Sequence, residues 1–290
     1  MFLCQKVSYK TLFQHRLQKK GKSSKDEKST KSAKKEVMKR RASKFFVLLF
    51  SVVCVCACAF VARLLSSVIT VSGNGISQAT VFQGFEVYAV SLGQYSSKSQ
   101  AETSSESITK KGGAGFIYEK DNMYYVLASV YEKENDAKLV QENLSSSGIS
   151  SKIIKMGIDG VDFSSVSSSA QKKAFSSALL ALKSAYVSLY DISVSLDTKT
   201  YDEAKAKIEI IGVKGNLEKT LEKTSKGSSS VDGIYYQMIK NTFDEIVDSL
   251  NDLKNYQQQN DVSLSSKIKF TYINLIDEID SLSNLLNNNV

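Results

Sequence analysis

Apolar positions follow two different periods along this 290-residue chain. Residues 87–95 (VYAVSLGQY) and 123–131 (MYYVLASVY) alternate between the two sides of an extended chain, which is typical of β-strands. From about residue 170 onward, apolar residues recur instead every three or four positions, which is typical of helices. The pattern therefore predicts a mixed α and β segment followed by a helical one.

The mixed segment contains a sequence repeat, with two copies at an offset of 36 residues. Each copy reads as a strand, a helix that ends at a glycine (Gly112 or Gly148), and a short second strand. Two such copies predict a four-stranded antiparallel sheet with two helices. Alternation places one set of side chains toward the helices and the other set, with Tyr125, on an open face. The repeated pairs are Tyr88/Tyr124, Val90/Val126, Tyr95/Tyr131 and Ala101/Ala137. Tyr88, Val90 and Leu92 form the helix-facing set, and Val87, Ala89 and Ser91 the open one.

Four apolar stripes at helical spacing follow, and they predict an all-α helical bundle over residues 158–290. Gly212 and Gly215 interrupt the second stripe and predict a kink or break there. Partner helices that join the stripes into a coiled coil are the alternative. The fold class is therefore α+β. The stripes are Phe175, Leu179, Leu182, Tyr186, Leu189; Tyr201, Ala204, Ile208, Ile211; Ile239, Phe243, Ile246, Leu250, Leu253; and Ile268, Tyr272, Leu275, Ile279, Leu282, Leu286.

An uncharged run of 18 residues, from Phe45 to Ala62, predicts a transmembrane helix over residues 45–65. Lysines and arginines crowd its N-terminal edge, so the positive-inside rule places that edge in the cytoplasm and the rest of the chain outside. A cleaved signal peptide is the alternative, because Ala57-Cys58-Ala59 resembles a cleavage site. Residues 66–83 then form a linker to a repeat domain at 84–157.

Residues 1–44 carry 15 of the 38 lysines and arginines and only three acids, a net charge of about +12. Since the whole chain carries +8, the remainder is mildly acidic. The tail has too few apolar residues to bury a core, so we expect a disordered cytoplasmic segment that contacts anionic lipid. Such lysine runs also neutralise nucleic-acid phosphates, but we expect no nucleic-acid partner.

Chemistry-bearing residues are scarce beyond the apolar run. The only histidine is His15, and the four cysteines (Cys4, Cys54, Cys56 and Cys58) all lie in the tail or the run. Zinc and cysteine-based catalysis lack their ligands there, so we predict no metal, no cofactor and no enzymatic activity. Acidic pairs such as Asp277-Glu278 lie beside apolar stripes and are interpreted as solvated helix faces.

Residues from about Phe85 to Met156 resemble a SPOR domain, the sporulation-related repeat of bacterial division and sporulation proteins. The family's first strand carries a pattern like V-Q-x-G-x-F, which here reads Val90-Ser91-Leu92-Gly93-Gln94-Tyr95. The second copy, Tyr125 to Tyr131, carries the related pattern. The resemblance implies that the sheet face binds peptidoglycan glycan strands stripped of their peptides. It implies glycan-binding roles for Ser91, Gln94 and Tyr125.

Two functions of different classes follow. The first is a single-pass, membrane-anchored protein that binds peptidoglycan outside the cytoplasm during cell division or sporulation. The second is a scaffold at the cell envelope whose helical bundle recruits a protein partner.

Overall fold

The computed structural model describes residues 81–166, 168–227, 233–258 and 261–289. The predicted tail, membrane span and most of the linker lie outside the described residues. The described residues group into one compact unit, so the sheet and the helices that follow it share one body.

The sheet has the doubled organisation that the sequence predicts. Four antiparallel strands lie in the order β3-β4-β2-β5, and the two helices of the repeat connect β2 to β3 and β4 to β5. The elements are β2 (Phe85–Tyr95), α1 (Lys98–Lys110), β3 (Phe116–Lys120), β4 (Met123–Tyr131), α2 (Glu134–Ser146) and β5 (Lys152–Ile158), preceded by β1 (Val81–Phe82) and followed by β6 (Val161–Asp162).

Both repeat helices end in the same way. After α1, the amide of Gly113 donates to the carbonyl of Ile108, and Gly112 has a positive φ of 94°. After α2, the amide of Ile149 donates to Leu144, and Gly148 has a φ of 77°. Glycine accepts this left-handed conformation without strain, and the bonds satisfy the last helical carbonyls. The repeated glycines therefore mark two helix ends.

A two-residue turn joins the copies. Asp121 and Asn122 both have positive φ, 52° and 57°, between the paired residues Lys120 and Met123. This is the type I′ geometry that matches the twist of the flanking strands.

Strands β1 and β6 form a separate two-stranded ribbon, with Val81 opposite Asp162 and Phe82 opposite Val161. Phe82, Val161 and Phe163 are fully buried. The ribbon thus pairs the segment that leads into the sheet with the segment that follows it.

Four long helices complete the body and form the predicted bundle. Each packs on its neighbour in the chain, and the last returns to pack along the first. Every residue of the predicted first, third and fourth stripes is buried. The helices are α3 (Ser169–Asp197), α4 (Glu203–Gly227), α5 (Gly233–Asn255) and α6 (Leu264–Asn287).

The predicted buried face of α4 is wrong, and so is the predicted break at its glycines. Ile208 and Ile211 of the predicted stripe are 61% and 47% exposed, and the opposite side of the helix packs into the core through Ala206, Ile210, Val213 and Leu217. The helix also continues through Gly212 and Gly215 without a break. Apolar residues lie on both sides of α4, so periodicity alone did not decide which side is buried. Helical glycines cost only about 1 kcal/mol each, which the packed face offsets.

Helix α3 is long and apolar enough to cross a membrane by length and composition alone. In the structure it is a core helix, because Phe175, Leu179, Leu182 and Leu189 are fully buried.

Candidate functional site

The alternation predicted for β2 is correct. Val90 is fully buried, and Leu92 packs against the small cluster of Ala101, Ile108 and Val126 under α1. Val87 and Ala89 point to the other face of the sheet, into the large core.

The expectation that this second face is open is wrong. Helices α3 and α6 cover it, so that Leu127, Ile154 and Met156 belong to the same core as the helical stripes. The residues of the face are apolar where the helices lie on them. The chain thus supplies its own cover for most of the face on which the resemblance places a ligand.

Aromatic rings form the seam between sheet and helices. The ring of Tyr272 in α6 lies 6.1 Å from that of Tyr186 and 5.9 Å from that of Tyr190, both in α3. From the sheet, Phe85 stacks on Tyr186 at 6.4 Å and Tyr131 meets Tyr190 at 6.1 Å. Such ring pairs stabilise the contact beyond the area they bury.

Tyr272 is fixed at this seam. The amide of Val130 donates a hydrogen bond to its phenol oxygen at 3.5 Å. Burial, above all, raises the pKa of Tyr272 well above its ordinary value, so the phenol stays neutral. We assign it a structural role.

Polar contacts fix the start of α6 on the repeat. Ser266 donates to the carbonyl of Thr109 at 2.9 Å, and the Lys269 ammonium donates to the carbonyl of Gly112 at 2.8 Å. Lys269 also pairs with Asp197 at 2.6 Å. These bonds occupy carbonyls at the end of α1 that would otherwise need water.

Ser91, the first predicted glycan ligand, lies at an irregularity in the pairing of β2 with β4. It is 2% exposed, and its hydroxyl donates to the carbonyls of Gly93 at 2.8 Å and Val126 at 3.3 Å. The hydroxyl of Ser91 therefore pairs with backbone carbonyls at the bulge. In this arrangement it offers no exposed group to a ligand.

Gln94 and Tyr125, the other two, are directly opposite each other on β2 and β4. Gln94 is exposed, whereas Tyr125 is 7% exposed. The ammonium of Lys152 lies over the Tyr125 ring, 5.2 Å from its centre, which is within cation–π range. Gln94, Tyr125 and Lys152 together form what we call the rim cluster.

Lys152 was missed by the sequence analysis, although the repeat contains a signal for it. At the offset of 36, Lys152 takes the position that Phe116 takes in the first copy. Phe116 is buried against Phe270 of α6, with ring centres 5.3 Å apart, but Lys152 is exposed. The charge of Lys152, at a position that is apolar in the first copy, therefore marks the part of the sheet face that the helices leave exposed.

Acidic side chains of α6 lie on the β3 side of the sheet. Burial, and then the negative charges of Asp277 and Asp280, raise the pKa of Tyr118 on β3. Burial likewise raises the pKa of Asp277 itself. Tyr118 is the β3 partner of Tyr125, so these acids lie on the β3 side of the rim cluster and Lys152 lies on its β5 side.

The order of the strands, with both repeat helices on one face, defines a small doubled βαβ domain. Residues 84–155 match the family model of the SPOR domain, and this segment is a SPOR domain.

One solved structure resembles the same part of the chain. It is the solution structure of the peptidoglycan binding domain of a cell wall lytic enzyme of B. subtilis, 19% identical in sequence with a TM-score of 0.21. The match covers 29% of this chain and 98% of that one. A comparison with curated proteins gave no match.

Proposed function

We propose that the chain is a membrane-anchored protein that binds peptidoglycan outside the cytoplasm through its SPOR domain, and that it acts in cell division or sporulation. The observation that carries the proposal is the SPOR domain at residues 84–155. SPOR domains are binding domains, which agrees with a non-enzymatic role. The preferred ligand is glycan from which the peptides have been removed.

The decisive experiment is retention of the purified chain on immobilised denuded glycan. Intact peptidoglycan with its peptides and an unrelated insoluble polysaccharide serve as comparison matrices. We expect retention on denuded glycan above both. No retention on denuded glycan would refute the proposal.

Anchoring is tested separately. The basic residues before the predicted span, including Lys39 and Arg40, support a cytoplasmic N-terminus. A periplasm-type or surface reporter fused after Val290 should be active, and the same reporter fused before Phe45 should be inactive. A mature chain that begins near Phe60 would instead establish cleavage.

The second candidate function, a scaffold, is favoured by the outer face of α4. Ile208 and Ile211 are exposed there beside Gly212 and Gly215, around which the structure leaves open space. A flat apolar helix face of this kind suits another helix. Substituting Ile208 and Ile211 by serine should remove a protein partner without affecting glycan retention if the chain is a scaffold.

A further inference from the structure

One row of four side chains crosses the whole sheet. It contains two positions of the repeat, and each position is represented by one residue from each copy. Phe116, Leu127, Ser91 and Lys152 are successive partners across β3, β4, β2 and β5. At the offset of 36, Phe116 corresponds to Lys152, and Ser91 to Leu127. One half of the row is therefore apolar and covered by Phe270, and the other half is polar and lies at the edge of the cover.

The polar half carries an accessible cation. Lys152 is exposed, and its ammonium lies 5.2 Å from the centre of the Tyr125 ring. Within the described ranges, no carboxylate forms an ion pair with it. The ring positions the ammonium without neutralising it, so its charge is available to an anion.

Exposed hydrogen-bonding groups lie beside this cation. Gln94 is opposite Tyr125, and its carboxamide can both donate and accept. Strand β5 pairs with β2 only as far as Ser91 opposite Lys152, but β2 continues to Tyr95. Along residues 92–95, the edge of β2 therefore has no partner from β5, and its backbone groups lie next to Gln94.

From this combination we infer that the rim cluster of Gln94, Tyr125 and Lys152 binds a saccharide that carries a carboxylate. Lys152 binds the carboxylate, Gln94 bonds neighbouring hydroxyl or acetamide groups, and the edge of Tyr125 contacts the sugar. The rest of the sheet face takes no part, since α3 and α6 cover it.

The inference rests on the proposed function and gives it a chemical basis. A muramic acid residue that bears a peptide holds its lactyl carboxyl group as an amide, which is neutral. Removal of the peptide leaves a free carboxylate. Lys152 therefore distinguishes stripped glycan from peptide-bearing glycan by charge, and it is the specificity-determining residue of the site.

The test uses the full chain in detergent and soluble denuded glycan fragments as the probe, with affinity measured at fixed ionic strength. Lys152→Gln should weaken binding about two- to fivefold, as expected for one solvent-exposed ion pair, and Lys152→Arg should keep it. Gln94→Ala should weaken binding about threefold. Lys138→Gln is the control for the loss of one positive charge, because Lys138 is also exposed but lies on α2, where it pairs with Glu134.

A second arm changes the ligand. Glycan fragments whose carboxylates have been amidated should bind the unsubstituted chain as weakly as Lys152→Gln binds untreated fragments. The Lys152→Gln chain should not distinguish the two ligands. Thermal melting of each variant confirms that it is folded.

The outcomes separate the two claims. Untreated fragments that do not bind the unsubstituted chain would refute the proposed function. Binding that neither Lys152→Gln nor amidation weakens would leave that function standing and overturn the assignment of Lys152. Loss of binding in the Lys138→Gln control as well would show nonspecific attraction between a basic protein and an anion, and would overturn the assignment too.

Discussion

The two halves of the sheet use equivalent repeat positions for different purposes. On the β3–β4 half, Phe116 and Leu127 are buried under α6; on the β2–β5 half, the equivalent Lys152 is exposed and Ser91 closes a bulge. The repeat gives both halves the same backbone arrangement, but the side chains at equivalent positions differ. One can pack in the core while the other is exposed. Positions where the two copies differ in polarity therefore show where the core ends.

The largest expected effect comes from removing the helices α3 to α6, two of which cover the sheet. A chain that ends at Ile158 exposes Val87, Leu127, Val130 and Met156, each about 1.5–3 kcal/mol of apolar burial. The sum with their neighbours approaches the whole stability of an ordinary domain, about 5–15 kcal/mol. We expect this fragment to aggregate or to lack a cooperative thermal transition.

The complementary fragment, residues 158–290, tests the domain boundary that the sequence predicts. Its stripes pair with one another, so we expect a helical circular dichroism spectrum, with a lower melting temperature than the whole body. A fragment 84–158 that melts cooperatively would show that the cover is dispensable and that the sheet face can open.

The next effect in size compares the equivalent positions directly. Phe116→Ala should lower the free energy of unfolding by about 3–5 kcal/mol, since it removes a buried ring. Lys152→Ala should lower it by no more than about 1 kcal/mol, from the lost contact with Tyr125. Urea denaturation measures both, and equal losses would show that Lys152 belongs to the core.

A similar comparison applies to the inner pair of the row. Leu127→Ala should cost about 2–5 kcal/mol. Ser91→Ala should cost about 1–3 kcal/mol, because the carbonyls that its hydroxyl serves become unpaired. A neutral Ser91→Ala, measured in the same denaturation series, would mean that the bulge does not depend on the serine.

A smaller effect is expected at the aromatic seam. Tyr272→Phe keeps the ring and removes only the acceptor for the Val130 amide, so the expected loss is about 0.5–1.5 kcal/mol. Tyr118→Phe on β3 is the control for loss of a phenol, with an expected change within about 0.5 kcal/mol. Similar losses in both would argue against a specific role for the Tyr272 hydroxyl.

The smallest expected effect on stability comes from the carboxylate of Asp277, which lies near β3. Since burial raises the pKa of Asp277 above its ordinary 3.8, the folded state holds this proton more tightly than the unfolded state. Its contribution to stability is therefore lost as the pH rises above that value. Asp277→Asn should gain at most about 0.5 kcal/mol at pH 7 and nothing near pH 4. A gain that is equal at both pH values would exclude this explanation.

Much of the fold follows from the sequence because its signals are local. Alternation located β2 and β4, glycines located the ends of α1 and α2, and apolar spacing located three helical faces. Each of these signals reflects the geometry of a few consecutive residues.

What failed depends on contacts between distant segments. The apolar character of Val87, Ala89 and Leu127 was visible, but not that α3 and α6 would pack on them. Helix α4 offered two apolar faces, and only its neighbours decided between them. The glycan-binding role of Ser91 came from the family resemblance and stays a prediction, but nothing in the sequence shows the bulge at which its hydroxyl is hydrogen-bonded. Lys152 needed the register of β5, which sets it beside Tyr125.

The short ribbon of β1 and β6 has a mechanical consequence. If the chain is held in the membrane on its N-terminal side and holds glycan at the rim cluster, tension enters the body at Val81 and leaves through Gln94. Strand β2 connects the two directly, flanked by β4 and β5. Because β1 pairs with β6, a pull along β1 acts at right angles to the hydrogen bonds between these strands and loads them together in shear. Helix α3 contacts β1, and Ser176 donates to the carbonyl of Val81, so the sheet and the first helix of the bundle share this load where it enters the body.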